Sequence, residues 1–484
     1  MKKKSPYPDW VIAHRKPGTE IRIIRGNYYL YSVKAYYDKE LKKGRKKTLA
    51  YLGRITEDEG LVAPTQKKVP RSYQPVNMDK LSTKDYGLWA FIQGNCVDLI
   101  SCLKEHFPAQ WEWILVAVYC RLVHTSPMKN MSFYYKRSFI SEDIDVAVSS
   151  LDISTLLKDL GSNRIPIVNY FKSLSGSDNL ILMDATSIVS YSENITKVEV
   201  GLTKDNTFGP IFNLLYFYNP DNYLPAYYRL FDGNIKDVTM VNTALQESGY
   251  KNTIAIGDKG FYSENNIKLL EKEGIKFIIP LRRNSTLIKY NRFKKMPTSS
   301  SHFFFEGRLI HFDSYKSQGA KMIYLFIDEP MMLKEKADYV HRKNKSPDNY
   351  TEEDYQKALL KFGTFAVISN LVEEPEEIYL RYKSRCGIEI LFDGVKNILG
   401  NDHTYMQTDE ALEGWMFINH LALQIHHKIY ATLKGKNLLS KYSIRDFITF
   451  LSNIRKVKIN DSWVLEPTID KQKKLMQELG MTIT

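Results

Sequence analysis

The sequence predicts an α/β protein. It reads as a mixed sheet interrupted by a β-rich insertion, preceded by a β-rich module and a helical module, and followed by a helical region. Three observations carry that expectation. Apolar runs of strand length alternate with helical patterns between residue 178 and about residue 400. Residues 19–56 alternate with period two and are rich in Tyr, Lys and Arg. The apolar period is helical over 82–174 and again from 408 onward. The implied boundaries are 1–75, 80–174, 175–286 with 362–401, 287–361 for the insertion, and 402–484.

In the first module Gly26-Asn27 marks one turn. "KELKKGRKK" marks a longer, basic one between two Tyr-rich strands, so a sheet of about three strands with a basic loop is expected. The polar "TQKKVPRSYQPVN" then reads as a linker. "YGLWAFIQGNCVDLISCLKEHF" and "AQWEWILVAVYCRLVHTS" read as helices parted by Pro108, and "SSLDISTLLKDLG" as another. "NLILMDATSIVSYS", "FGPIFNLLYFYN" and "YLPAYYRLFDGN" read as antiparallel-type strands. Helix "DVTMVNTALQESG", strand "NTIAIGD", helix "SENNIKLLEKEG" and strand "KFIIPLRRN" then make the sheet mixed. In the insertion "HFFFEGRLIHFDSY" and "KMIYLFID" read as strands and "NYTEEDYQKALLKF" as a helix. "GTFAVISN" resumes the core and feeds a single helix from about Glu374 to Leu399. "DEALEGWMFINHLALQIHHKIYATLKG", "SIRDFITFLSNIRK" and "DKQKKLMQELG" are the closing helices.

With 484 residues, 43% hydrophobic and 25% charged, the chain is globular in composition and long enough for several domains. A net charge of +13 and a pI near 9.1 argue for a polyanionic partner. The first 75 residues hold about 18 Lys and Arg against about 7 Asp and Glu, so most of the excess sits there. A solubilising basic tail is the alternative. The longest apolar run, "WILVAVYC", stops at Arg121, well short of the ~20 residues that span a bilayer, so a membrane partner loses ground to nucleic acid. Cys96, Cys102, Cys120 and Cys386 form no dense disulfide framework, and no signal peptide is visible, so a reducing cytoplasm is the expected compartment. Cys102 with His106 and Cys120 with His124 have a zinc-like spacing, but on apolar helices they read as core. No Walker-type loop is present, so ATP use is not expected.

The stretch "YKSRCGIEILFDGVK" poses a question of faces. Drawn as one helix, Tyr382, Arg385, Glu389 and Lys396 share an arc of roughly 60° bordering the apolar side. Geometry alone leaves a solvated face with incidental ion pairs open. Asp184 follows "LILM" within a strand and Asp258 follows "IAIG" at a strand end, between two nearby glycines. Each alone could be a turn former. Together with Glu389 they form a set of hard oxygen donors suited to two Mg²⁺ or Mn²⁺ ions acting on phosphorus. Arg385 and Lys396 would then grip phosphate, and Tyr382 could donate to a phosphate oxygen.

Tyr-x2-Arg-x3-Glu-x6-Lys, complete here as Tyr382, Arg385, Glu389 and Lys396, resembles the signature of bacterial insertion-sequence DDE transposases. "DATS" at Asp184 and "DKGF" at Asp258 resemble that family's first and second acidic motifs, and "LFDGNIKD" a segment between them. The resemblance implies an RNase H-like catalytic core split by the insertion. It implies Asp184, Asp258 and Glu389 as catalytic metal ligands, and Tyr382, Arg385 and Lys396 as DNA contacts. It implies cleavage at the element's terminal inverted repeats and transfer of the 3′-OH into target DNA, by cut-and-paste, with a homodimer on double-stranded DNA in the nucleoid. The alternative is a transposase-derived regulator that binds DNA without catalysis. If release runs through a hairpin, an insertion aromatic would hold a flipped base, with Phe303, Phe304, Phe305 and Tyr315 as open candidates. The N-terminal sheet is expected to contact DNA through Lys42, Lys43, Arg45, Lys46, Lys47 and Arg54. "MKNMSFYYKRSF" in the helical module could hold DNA or simply pack.

Overall fold

The computed structural model describes residues 6–38, 43–64, 81–124, 127–174, 180–235, 237–250, 254–295, 301–317, 319–346, 350–399, 404–459 and 461–480, apart from 203–206. The chain divides into two compact units, Met1–Asp79 and Lys80–Thr484. The expected linker at 65–77 lies outside the described residues.

The first unit is an antiparallel sheet in the order β1 (Thr19–Ile24), β2 (Asn27–Asp38), β3 (Lys43–Thr56), β4 (Gly60–Val62). The turn at Arg25-Gly26 takes positive φ at both residues, 49° and 79°, which is why the sequence changes direction there. Val11, Ile21, Leu30 and Ile55 form its small core. β2 and β3 run on past that core as a two-stranded ribbon. Residues 34–37 and 43–51 are all exposed. Lys43–Lys47 therefore lie in a strand rather than in the expected loop, because β3 pairs from Lys43 opposite Asp38 onward.

The second unit is built on a ten-stranded sheet. Its strands are β6 (Leu180–Val189), β7 (Glu199–Leu202), β8 (Phe208–Asn219), β9 (Leu224–Asp232), β10 (Ile254–Ile256), β11 (Lys276–Pro280), β12 (His302–Phe305), β13 (Arg308–Lys316), β14 (Met322–Asp328) and β15 (Thr364–Ser369). The path is β12-β13-β14-β15-β11-β10-β6-β8-β7, with β9 also on β8. β10 runs parallel to both β6 and β11, whereas β8 and β9 are antiparallel to their neighbours. This mixed core is RNase H-like. The insertion does not form a separate sheet: β14 pairs with β15, so β12–β14 extend the core. The insertion also holds a helix at Glu329–Lys345 that the sequence pattern did not reveal, since none of its residues is buried and no apolar stripe exists to read.

Helices flank this sheet. Helix Asp409–Gly435 is buried along most of its length. The region after it is not wholly helical: the expected helix in "SIRDFITFLSNIRK" ends at Ser452. Residues Arg455–Ile459 become strand β16, paired with β17 (Ser462–Leu465) and with β5 (Ser82–Asp85). Pairing with a partner some 370 residues earlier overrides the local helical period. Among the described residues no helix is long and apolar enough to cross a membrane.

Candidate active site

Strand register places the first two acids. β6 and β10 are parallel, with Ile256 opposite Leu182. Asp184 lies two residues further along β6, and Asp258 two residues past the end of β10. The adjacent parallel strands thus deliver both carboxylates to one end of the sheet. They line one cavity of about 180 Å³, floored by Met183, Leu215, Met240 and Phe261. The Asp184 carboxylate accepts a 2.9 Å bond from the Ala185 N–H, and Asp258 a 2.9 Å bond from the Phe261 N–H. Gly260 matters here: a Cβ on it would stand 3.1 Å from an Asp258 carboxylate oxygen.

The segment with the other expected residues is not one helix. It forms Pro375–Lys383 and Cys386–Leu399, broken at Ser384 and Arg385. The Ser384 hydroxyl donates to the Arg381 carbonyl, and the Arg385, Gly387 and Ile388 N–H groups bond three residues back instead of four. Gly387 lies tight against the buried ring of Tyr218, at 2.3 Å from where a Cβ would sit, and seats the second helix on β8. The break redirects Arg385, whose guanidinium reaches the Asp184 carboxylate at 3.4 Å. Arg385 also hydrogen-bonds Tyr382, whose ring packs on Phe365 at 4.5 Å.

Burial pushes Asp184 up to about 6, with Arg385 pulling it down and the charge of Asp258 adding to the rise. Burial also raises Tyr382, opposed by Arg385 and helped by Asp258 and Glu389. Asp184, Asp258, Arg385 and Tyr382 are thus one electrostatic group. Glu389 acts on its edge but is exposed. Among the described residues no three acidic, His or Cys side chains gather closely enough to hold a metal ion. The side chain of Lys396 lies outside the described residues. The donor set nevertheless fits a divalent cation: two hard carboxylates face one cavity, and one is held far above the usual range by burial and by the other's charge.

The remaining expectations separate. Lys43, Arg45, Lys46 and Lys47 are exposed on β3, Lys46 lies 3.7 Å from Glu20, and Arg54 donates to Asn27 at 2.6 Å. Lys42 lies outside the described residues. Of the insertion aromatics, Phe303 and Tyr315 are buried and Phe305 packs on Tyr379, while Phe304 is 67% exposed. In "MKNMSFYYKRSF" Tyr135 and Phe139 are buried, and Phe133 is exposed with Arg137 over its ring. Sequence reasoning missed the apolar floor of the cavity. Met240 comes from the helix Asp237–Ser248, and nothing in its pattern marks it as facing the acids.

Residues 175–425 match the transposase DDE domain. A search of curated proteins finds no match. Among solved structures, the piggyBac transposase synaptic complex with hairpin DNA aligns at 11% identity and a TM-score of 0.39, over 76% of this chain and 79% of that one. The Drosophila P element transposase strand transfer complex aligns at 12% identity and 0.23, over 69% and 82%. The Mos1 transposase paired-end complex with left transposon end aligns at 12% and 0.14, over 32% and 54%. At these scores none of the three bears on residue roles in this chain.

Proposed function

The chain belongs to the family of transposase DDE domains, and on that premise we propose that it cuts the ends of an insertion sequence and joins the freed 3′-OH to target DNA, by cut-and-paste. The observation that carries the reading is the convergence of Asp184 and Asp258, from adjacent parallel strands, on one cavity, with Arg385 beside them. Asp184 and Asp258 would hold divalent metal, and Glu389 would complete the set by a shift of its helix toward the cavity. Bound Mg²⁺ or Mn²⁺, as two ions, would activate the attacking water or 3′-OH and stabilise the leaving oxygen.

The chain's own residues do the positioning. Arg385 can hand its guanidinium from Asp184 to a phosphate, since Arg binds either group in the same forked geometry. Tyr382 donates its hydroxyl to a phosphate oxygen, its ring fixed by Phe365. Lys396, on the same helix as Glu389, meets the transposon end. Basic residues of β3 hold duplex DNA outside the catalytic unit. Two ends must be joined, so two copies act together on DNA. Phe304, exposed on the hairpin of β12 and β13, would be the insertion aromatic that stacks on an unpaired base.

The test is Mg²⁺-dependent cleavage of duplex carrying the inverted repeats that flank the coding region. Asp184→Asn should cut at least about a hundredfold more slowly while binding the DNA as well as wild type. Equal cutting by the substituted protein would refute the metal-site reading. DNA binding by a wild type that never cuts would instead favour a regulator without catalysis.

A further inference from the structure

The ribbon of the first unit has two unlike faces. In an antiparallel pair, directly opposed residues share a face and successive residues alternate. The register pairs Lys34 with Lys47, Tyr36 with Arg45 and Asp38 with Lys43. The side chains of Lys34, Lys47, Tyr36, Arg45 and Lys43 belong to one face. Val33 with Thr48, Ala35 with Lys46 and Tyr37 with Gly44 belong to the other.

The lysines of the two faces differ in their partners. On the second face the cations have partners within the unit. Lys46 is 3.7 Å from Glu20, while Arg22 bonds both Glu20 and Thr48, at 3.2 and 2.7 Å, and covers the Tyr31 ring. On the first face Lys34 stands directly opposite Lys47, and among the described residues no ion pair reaches either. Two like charges opposed across a strand pair destabilise it. The small core of this unit gains nothing from the arrangement, because Ile21, Leu30 and Ile55 lie at the other end of the strands. A polyanion laid along that face would reverse the cost.

We infer that the ribbon binds duplex DNA through one face, made by Lys34, Tyr36, Lys43, Arg45 and Lys47, and that Lys46 and Arg54 belong to the fold of the unit and not to the DNA contact. Dimensions favour B-form duplex. Residues 34–38 paired with 43–47 span about 17 Å at about 3.4 Å per residue, and a two-stranded ribbon fits a major groove about 12 Å wide. The deep, narrow major groove of A-form RNA would not admit it. The contact is to phosphates, so it positions the protein without reading sequence.

This inference rests on the DNA-directed function proposed above, and its test separates the two. Anisotropy of a labelled random-sequence duplex is followed with the full chain over a range of salt. Lys34→Gln with Lys47→Gln should weaken binding about tenfold and lower the slope of log affinity against log salt by about 1.8, or ~0.9 per lost phosphate contact. Lys46→Gln, one residue from Lys47 with the same change of charge, should stay within about twofold of wild type with an unchanged slope. All variants should melt close to wild type, since the ribbon lies outside the core and the pairs exchanged are exposed to solvent. Equal losses for Lys46→Gln and Lys47→Gln would overturn the one-faced contact while leaving DNA binding intact. Equal affinity for duplex RNA, with the same loss in the double variant, would overturn the groove assignment. Failure of wild type to bind DNA would remove the proposed function itself.

Discussion

Arginine meets carboxylates at two places in the catalytic unit, and the two differ in completeness. Arg164, at the start of helix Arg164–Leu174, has all three of its guanidinium nitrogens hydrogen-bonded. It forks onto Glu247 at 3.1 and 2.9 Å, bonds Glu413, and donates to the Tyr228 carbonyl at 2.7 Å. Glu247 also takes Arg229 and the Tyr227 hydroxyl, and Glu413 the Tyr228 hydroxyl. Arg385 makes one long contact with Asp184 beside its bond to Tyr382, and among the described residues its buried Nε has no hydrogen-bond partner. The first group ties the helical module, the core sheet and helix Asp409–Gly435 together. The second holds a charge in place with capacity unspent. A saturated network resists change, whereas an unsaturated pair can exchange one partner for another.

Breaking the saturated side should have the largest effect. Arg164→Met leaves the buried Glu413 without a cationic partner and Glu247 with Arg229 alone, and should cost about 3 kcal/mol in urea unfolding. The pH dependence sharpens the prediction. Burial pushes Glu247 up, but Arg164, Tyr227 and Arg229 outweigh it and hold it below its ordinary 4.5. A lowered carboxylate contributes stability that is fully present above the ordinary value and is lost as pH falls through the folded one. Wild type should therefore lose urea resistance as pH drops below about 4.5, and Arg164→Met should show a shallower fall. An unchanged midpoint in Arg164→Met would show that the network holds nothing together.

The seat of the second helix comes next. Gly387→Ala forces a methyl toward the buried ring of Tyr218, and overpacking of this kind costs about 1–3 kcal/mol. Cleavage should fall further than stability explains, because the helix carrying Glu389 would be lifted from β8. A loss of cleavage no greater than the loss of folded protein would mean that the seat is structural alone.

Much of the cleft was legible because its parts are local. Asp184 and Asp258 end apolar runs with a strand period, and Gly260 beside the acid is a turn residue whose purpose can be read without a structure. The helix break at Ser384-Arg385 was not legible: neither residue is a breaker, and the cause is a hydroxyl bond together with a contact to Tyr218 on a distant strand. One straight helix put Arg385 in a stripe with Glu389; the kink puts it on Asp184. β16 was hidden for the same reason, since its partner β5 lies near the start of the unit. The Arg164 network leaves no local trace at all, because Glu247 and Glu413 stand 83 and 249 residues further along. Strand pairing within a few turns is written in composition and period; closure over hundreds of residues is not.

The smallest change in stability should come from Arg385→Gln, and there the comparison is decided. Asp184 and Arg385 are both partly open to solvent, and Asp184, already raised to about 6, can take a proton when the guanidinium goes. Urea unfolding should shift by less than about 1 kcal/mol, as for a solvent-screened pair. End cleavage should nevertheless fall by about a hundredfold or more, since the group that orients the phosphate is gone. Arg385→Lys, which keeps the charge but not the fork, should recover stability without recovering cleavage. If Arg385→Gln unfolds as readily as Arg164→Met, its bond to Asp184 is a structural clamp like the other, and the empty Nε is no sign of exchange. If it folds as wild type and cuts as wild type, Arg385 is no part of the site. Loss of cutting with the fold intact is the outcome that sets an unsaturated arginine apart from a saturated one.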